Sequence, residues 1–272
     1  MATSSSHPPA DPAPARASAT EVHTARAHSF NAAAAQYAAN RPSYPAALFD
    51  AVEALARRPL AGARVADVGA GTGIATALLH ARGADVVAVE PGDGMAAQFR
   101  RALTDVPVVR GDGNRLPLAT SSMDLLTYAQ SWHWTDPARA VPEALRVLRP
   151  GGALALWWNT SAPDVPWLAA QSVRIERHFG IERTGERYGA FRPTTADPTG
   201  ALDLTGRRVR WSRRVPVDVH LANIGSHSVF LVQGAESAAA FLAEERRHLD
   251  AVFPDGIVEE AYVVELMVAI RP

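Results

Sequence analysis

The 272-residue chain contains no cysteine, which removes disulfides, zinc-thiolate sites and cysteine nucleophiles and gives no support to secretion. It contains no lysine either: all 27 basic residues are arginine. A lysine Schiff base is therefore excluded, and so is the phosphate loop G-x-x-x-x-G-K-[ST], whose lysine reaches the phosphates. An excess of one charge is also lacking. The formal net charge is -1, so no global field attracts nucleic acid. No apolar run approaches the roughly 18–20 residues that cross a bilayer. Residues 1–19 mix Ser, Pro, Ala and His without the uninterrupted apolar stretch of a signal peptide. The expectation is a soluble, cytoplasmic protein, monomer or homodimer, with no nucleic-acid or membrane partner and a disordered tail over residues 1–27.

What the chain does contain is an alternation of short apolar runs with helical stretches. Ser29-Phe30-Asn31 opens an alanine-rich helix running to Tyr37 and Asn40 and closed by Arg41-Pro42; a second helix fits residues 46–58, with Leu48, Val52 and Leu55 at helical spacing. Next comes a β-branched strand, Arg64 to Val68, then the turn Gly69-Ala70-Gly71-Thr72-Gly73 and a helix from Ile74 to Ala81. Asp85 to Val89 predicts a second strand ending in Glu90-Pro91, followed by a helix over 94–102. Strands are expected at 106–109, 124–129 and 153–158. Before the last of these, Asp136-Pro137 caps a helix that Pro142 should bend or delay, and Arg149-Pro150-Gly151-Gly152 stops it.

Strands and helices alternating at this spacing imply an α/β fold: a Rossmann-like, doubly wound, mostly parallel sheet with both faces covered. The expected organisation is an N-terminal helical cap (28–60), a Rossmann-like core (61–161), an inserted lid (162–205) containing a helix over 166–179, and a C-terminal completion of the sheet (206–272). That completion reads as a strand near 209–219, a helix at 236–249 and a strand at 261–270. The run Arg207-Arg208-Val209-Arg210-Trp211-Ser212-Arg213-Arg214 reads as a solvated edge strand, its charges discouraging further pairing, in preference to a contact for an anionic substrate.

A glycine turn between a first strand and a helix brings backbone N–H groups near a ligand at the carboxyl edge of the sheet. A dinucleotide fingerprint reads G-x-G-x-x-G, whereas Gly69, Gly71 and Gly73 read G-x-G-x-G and Ile74 stands where the third glycine belongs. A pyrophosphate therefore fits poorly. S-adenosylmethionine has none and needs a tight turn plus an acid for its ribose. Glu90 ends the second strand, where a carboxylate accepts from both ribose hydroxyls. Asp112, after the third strand, is placed to accept from the adenine amino group, and Asp67 to face the ligand's ammonium through water. Taken singly, Glu90 could simply face solvent and Asp112 could cap a turn.

Residues 65–73 (VADVGAGTG), Val89-Glu90-Pro91, Gly111-Asp112-Gly113 with Leu116-Pro117, and Arg146 to Gly152 (RVLRPGG) resemble the motifs of class I S-adenosylmethionine-dependent methyltransferases. Phe30-Asn31, Tyr37, Arg41-Pro42, Tyr44-Pro45 and Ala129 to Trp134 (AQSWHW) narrow the resemblance to a subgroup similar to trans-aconitate methyltransferase. The resemblance implies that Gly69, Ala70, Gly71, Glu90, Pro91, Asp112 and Gly113 surround the cofactor. It also implies that Tyr37 and Arg41 grip the cofactor's carboxylate, although Arg41 before Pro42 equally well ends a helix.

The segment after the fourth strand, Gln130 to Asp136, leaves the same edge beside the cofactor's methionine half, which makes Gln130 a further cofactor-binding candidate. His133, between Trp132 and Trp134, is a candidate general base. Trp132 and Trp134, with Trp158 and Asn159 at the next strand end, are substrate-binding candidates; alternatively the tryptophans are core and the histidine bonds to backbone. No H-x-x-x-H pair exists, so no metal is expected. The expected activity is methyl transfer from S-adenosylmethionine to a small molecule, O-methylation of a metabolite or natural-product intermediate. N- or C-methylation, a non-catalytic cofactor-binding protein and a nicotinamide oxidoreductase stand as alternatives, the last disfavoured by Ile74.

Overall fold

Alternate residues of each central strand are apolar in both phases, so every strand can bury two faces. In the computed structural model, which describes residues 40–180, 196–227, 229–230 and 234–272, that pattern builds one seven-stranded sheet of order β3-β2-β1-β4-β5-β7-β6. The strands are β1 (Arg64–Val68), β2 (Asp85–Glu90), β3 (Val108–Arg110), β4 (Met123–Ala129), β5 (Leu148–Ser161), β6 (Thr205–Pro216) and β7 (Ile257–Ile270). β1 to β5 pair in parallel, while β7 pairs antiparallel with both β5 and β6. The chain moves outward from β1 to β3, then returns to lay β4 on the other side of β1, so the strand order reverses between β1 and β4. Open α/β sheets bind ligands at the carboxyl ends of the strands at such a reversal.

The period of two sorts the core. Val65, Leu125, Ala153, Ala155, Trp157, Val264 and Leu266 face one side, together with α1 (Ala46–Ala56), α2 (Ile74–Ala81) and Phe99 of α3 (Asp93–Ala102). Ala66, Leu126, Leu154, Leu156, Trp158 and Met267 face the other, against α4 (Pro137–Val147). Trp157 is fully buried, with Tyr44 and Phe49 edge-on at ring distances of 5.9 and 6.2 Å. That contact fixes α1 over the sheet.

The structure differs from the sequence expectation mainly at strand ends. β5 begins at Leu148 because Leu148 pairs with Met123, and Gly151 and Gly152 bond to Arg271 at 2.9 and 2.7 Å. The expected strand over 209–219 ends at Pro216, and Val217–Gly225 forms a helix, α6. Val217, Leu221 and Ile224 there bury one helical face among the side chains of α5 (Pro166–Phe179) and α7 (Ala235–Val252), which overrides the strand preference of Val217 and Val219. Pro142 does not delay α4, whose first turn is held by Asp136 accepting from Ala138 N–H at 3.1 Å. The expected helix before Arg41, the tail and Tyr37 lie outside the described residues. The arginine run forms the edge strand β6, where Arg208, Arg210, Arg213 and Arg214 meet Glu265, Asp164, Glu260 and Asp255. Among the described residues no helix is long and apolar enough to cross a membrane.

Between β7 and the C-terminal helices lies a buried polar core. Glu245 takes both arms of Arg174 (2.6 and 2.7 Å) and the Gln171 amide (3.0 Å). Glu260 receives His220 Nδ1 (2.7 Å), Tyr262 hydroxyl (2.8 Å), Asn223 Nδ2 (3.2 Å) and the Arg213 guanidinium. Burial pushes the Glu260 carboxyl up, but the bonds from His220 and Arg213 overcome that and hold it at about 2. The unfolded chain takes the proton near 4.5. Glu260 therefore contributes stability that is complete above that pH and is withdrawn as pH falls toward 2. Glu260→Gln is expected to lower the melting temperature at pH 7, and its gap to the native protein to narrow steadily between pH 5 and pH 3 in calorimetric scans; a gap independent of pH contradicts this account.

Candidate functional site

The turn after β1 bends at three glycines, Gly69, Gly71 and Gly73, with φ of +67°, +59° and +93°. Side chains rarely adopt these angles. The turn spends its own donors internally: Gly69 and Ala70 N–H bond to Val89 carbonyl at 2.8 and 3.2 Å, Gly71 N–H to Glu90 Oε2 at 2.8 Å, and Gly73 N–H to Ala70 carbonyl at 3.0 Å. This departs from the expectation that these amides reach for a ligand. The turn offers shape in their place. A methyl at Gly69 would lie 2.5 Å from the Ser131 Cβ, and one at Gly73 would lie 2.7 Å from Leu103, whereas at Gly71 nothing lies within 4 Å. Gly71 is thus the open face of the turn.

Glu90 is 6% exposed and ties two turns together, its Oε1 accepting from Gly92 N–H at 2.7 Å and its Oε2 from Gly71. Burial raises its carboxyl, and these two bonds with nearby Arg110 oppose the rise. Each carboxylate oxygen has a further lone pair, so a diol can still be accepted. Pro91 carbonyl receives Arg110, which also pairs with Asp93 and braces the β2–α3 corner. The exposed Asp112 accepts from Asn114 N–H at 2.6 Å, which is a turn-capping bond and engages one of its two oxygens. Gly113 is a packing glycine, since a methyl there would meet Thr135 at 2.7 Å and Tyr128 at 3.0 Å.

Asp67 is placed differently from the expectation. It is fully buried, and its two oxygens accept from Thr76 (2.6 Å) in α2 and Thr127 (2.7 Å) in β4. It locks the helix after the glycine turn to the neighbouring strand, and its carboxyl is taken up inside the protein. Burial, against those two hydroxyl bonds, pushes it up to about 6.

At the ends of β4 and β5 the polypeptide brings together most of the remaining candidates. Gln130 has φ of +62° and donates through Nε2 to the Asn159 carbonyl at 3.2 Å. His133, exposed on a short 3₁₀ turn (Trp132–Trp134), accepts the Trp158 indole N–H at Nδ1 (3.4 Å) and tilts against Trp134 at 4.7 Å. Trp132 goes elsewhere. It is 1% exposed, edge-on to Tyr128 at 4.7 Å, with its N–H on Ala196 carbonyl at 2.9 Å, so it is core and not a pocket wall. Arg41 donates to Ser226 carbonyl at 3.3 Å, at the end of α6. Of the remaining histidines, His220 has both ring nitrogens engaged, by Glu260 and by Gln171 at 2.8 Å, and His227 is held neutral by burial and by Arg41 and His220.

Sequence reasoning missed three residues. Ser131 packs on Gly69 and donates to Val68 carbonyl at 2.5 Å, Thr72 Oγ1 is buried without a partner among the described residues, and Trp211 bonds Asn159 Oδ1 at 3.0 Å. Only proximity to a motif could have flagged the first two; Trp211 sits 52 residues from its partner. An open glycine face, a buried unpartnered hydroxyl beside it and a carboxylate with spare lone pairs fit an adenosyl amino acid. Among the described residues no group of three or more His, Asp or Glu is placed to hold a metal ion.

A family profile described as a methyltransferase domain matches residues 66–156. The chain is 46% identical over 221 residues to an uncharacterised methyltransferase of Mycobacterium tuberculosis, covering 81% of this chain and 85% of that one. It is 40% identical over 119 residues to a demethylmenaquinone methyltransferase of Beutenbergia cavernae, covering 43% of this chain and 49% of that one. A solved structure assigned as a type II methyltransferase of Anaeromyxobacter dehalogenans superposes with a TM-score of 0.56 at 26% identity, over 85% of this chain and 96% of that one.

Two stability experiments probe the site's construction. Because Asp67 binds its proton more tightly folded than unfolded, its ionised form carries a cost that is absent below about pH 4 and complete above about pH 6. Asp67→Asn is therefore expected to stabilise the protein by roughly 1–3 kcal/mol at pH 7.5 and by nothing at pH 4, read from urea midpoints. Gly69→Ala must displace Ser131 and is expected to abolish cooperative unfolding or lower it severely, whereas Gly71→Ala costs only about 1–2 kcal/mol of backbone strain. Equal losses at the two positions contradict the packing described.

Proposed function

Because this chain belongs to the class I S-adenosylmethionine-dependent methyltransferases, we propose that it methylates a small molecule at oxygen, a metabolite or natural-product intermediate. The chain is an enzyme and its cofactor is S-adenosylmethionine. The observation that carries the placement of the site is the Glu90 carboxylate spanning Gly71 and Gly92 N–H beside an open glycine face at the strand-order reversal. When bound, the cofactor supplies an electrophilic methyl group on a sulfonium.

The residues divide the remaining work. Glu90 takes the ribose hydroxyls on its spare lone pairs, Asp112 the adenine amino group, and the Gly69–Gly71 turn, with Thr72, the amino-acid end. Gln130 stands beside the cofactor's methionine half, and Trp134, Trp158 and Asn159 flank the acceptor. Orientation of the acceptor with water excluded supplies the largest part of the acceleration, roughly 7–11 kcal/mol in favourable cases. A hydroxyl acceptor must also lose a proton. His133 accepts it at Nδ1, the nitrogen facing the Trp158 indole, once that long 3.4 Å bond yields. Resemblance of the motifs around Arg41 and residues 129–134 to trans-aconitate methyltransferase supports a small acceptor, and so does the demethylmenaquinone methyltransferase relative.

Titration calorimetry with S-adenosylhomocysteine tests the cofactor site. Glu90→Ala is expected to weaken binding on the order of 10- to 100-fold, the worth of hydrogen bonds to a charged group; unchanged affinity overturns the placement. In a tritiated-methyl assay with a hydroxyl acceptor, His133→Ala is expected to lower kcat about 10²-fold or more while leaving S-adenosylhomocysteine affinity intact. Unaltered kcat removes the base role.

A further inference from the structure

The loops that follow β3 and β4 carry two groups on which the proposed reaction depends, Asp112 and His133, yet the sheet does not align them. In the order β3-β2-β1-β4 two strands stand between β3 and β4, so no ladder of backbone hydrogen bonds fixes one loop against the other. Side chains do this work instead. After Asp112 the chain crosses toward β4, where the Tyr128 hydroxyl donates to the Gly113 carbonyl at 3.4 Å and a methyl on Gly113 would lie 2.7 Å from Thr135 Cγ2. Asn114 then reaches both loops at once. Its backbone N–H donates to Asp112 Oδ1 at 2.6 Å, and its side-chain Oδ1 accepts from Asp136 N–H at 2.8 Å, across 22 positions of sequence.

The second of these bonds is not a helix cap. Asp136 already caps α4 with its own side chain on Ala138 N–H at 3.1 Å, and Pro137 opens the helix with no N–H to satisfy. Asp136 N–H belongs to the end of the His133 turn, where Thr135 N–H and Thr135 Oγ1 both donate to the Trp132 carbonyl, at 3.0 and 2.7 Å. The far end of α4 has its own anchor. Leu116 N–H donates to Glu143 Oε1 at 2.7 Å, and Arg146 Nη2 donates to the Leu116 and Leu118 carbonyls at 3.2 and 3.0 Å. The crossing segment thus pins α4 at its base through Glu143 and Arg146, and at the end nearer His133 through Asn114. Removing the Asn114 bond leaves the base anchor in place.

We propose that Asn114 is a positioning residue: it couples the adenine-holding loop to the turn that carries His133, so that a cofactor held at Asp112 also tightens residues 131–136. This rests on the cofactor placement proposed above and adds the means by which that placement reaches the acceptor side. Asp112 has one oxygen on Asn114 N–H and offers the other to the adenine amino group. A cofactor that fixes the Asp112 side chain therefore fixes Asn114, and Asn114 Oδ1 passes the constraint to Asp136. Such coupling is reciprocal, so whatever the ligand does for the turn, the turn does for ligand affinity. One neutral hydrogen bond is worth about 2- to 10-fold in an equilibrium constant, which sets the scale.

Amide hydrogen exchange read by mass spectrometry on the full chain, with and without saturating S-adenosylhomocysteine, measures the coupling. In the native protein the ligand is expected to slow exchange over residues 131–136 about 2- to 10-fold. Asn114→Ala should abolish that slowing and weaken S-adenosylhomocysteine binding about 2- to 10-fold by titration calorimetry. Asn114→Asp, which keeps an oxygen for Asp136 N–H, should restore the slowing. Asp112→Ala, at ligand concentrations that saturate it, should lose the slowing because the constraint starts at that carboxylate. A merely structural Asn114 raises exchange in free and bound protein alike and leaves their ratio native, and that result overturns the proposal. So does slowing that persists in Asp112→Ala, an Asn114→Asp variant that behaves like Asn114→Ala, or no slowing in the native protein. If S-adenosylhomocysteine binds the native protein in those cases, the coupling falls and the methyltransferase reading stands; absence of binding strikes that reading and the coupling with it. Should Asn114→Ala fail to fold, the native protein and the Asp112→Ala variant still give the answer.

Discussion

Five residues between β1 and α2 have to reverse the chain within van der Waals reach of β2 and of the β4 loop, and everything at the carboxyl edge is arranged around that bend. Gly69 yields its side-chain space to Ser131, Gly73 yields its own to Phe99 and Leu103, and Gly71 keeps its space open. The bend is held from three sides: by Val89 carbonyl, by the Glu90 carboxylate and, one layer beneath, by Asp67 clasping Thr76 and Thr127. Such a turn is rigid because the N–H groups of Gly69, Ala70, Gly71 and Gly73 are already used, and a rigid floor lets a cofactor bind without ordering a loop first.

Glu90 and Asp67 are both buried acids close to the turn, and burial raises both, yet their tasks differ. Asp67 has each oxygen taken by a hydroxyl and no surface; its work is to join α2 to β4. Glu90 has both oxygens anchored by backbone N–H groups of two different turns, Gly71 and Gly92, and so joins the glycine turn to the β2–α3 corner. The same residue class thus braces side-chain hydroxyls in one place and backbone amides in the other.

The C-terminal half repeats this logic with a different chemistry. Its edge strand β6 carries arginines that find acids on β7, on the loop after β5 and on the turn before β7, and its helices enclose Glu245 and Glu260 with their cations.

Much of this was legible from the chain alone. The glycine turn, the alternating apolar phases of β1, β2, β4 and β5, the Asp136 cap and the edge character of the arginine run all rest on local rules that act within a few residues, and the motifs sufficed to indicate a class I fold and its cofactor. What only the tertiary structure decided are relations across long separations. It buried Asp67 between two threonines, sent Trp132 into the core while leaving His133 at the surface, made 217–225 a helix, and paired Asn159 with Trp211. The physical reason is that a side chain's direction and its partner depend on which elements pack together, and that is a property of the assembled sheet and not of any stretch of sequence.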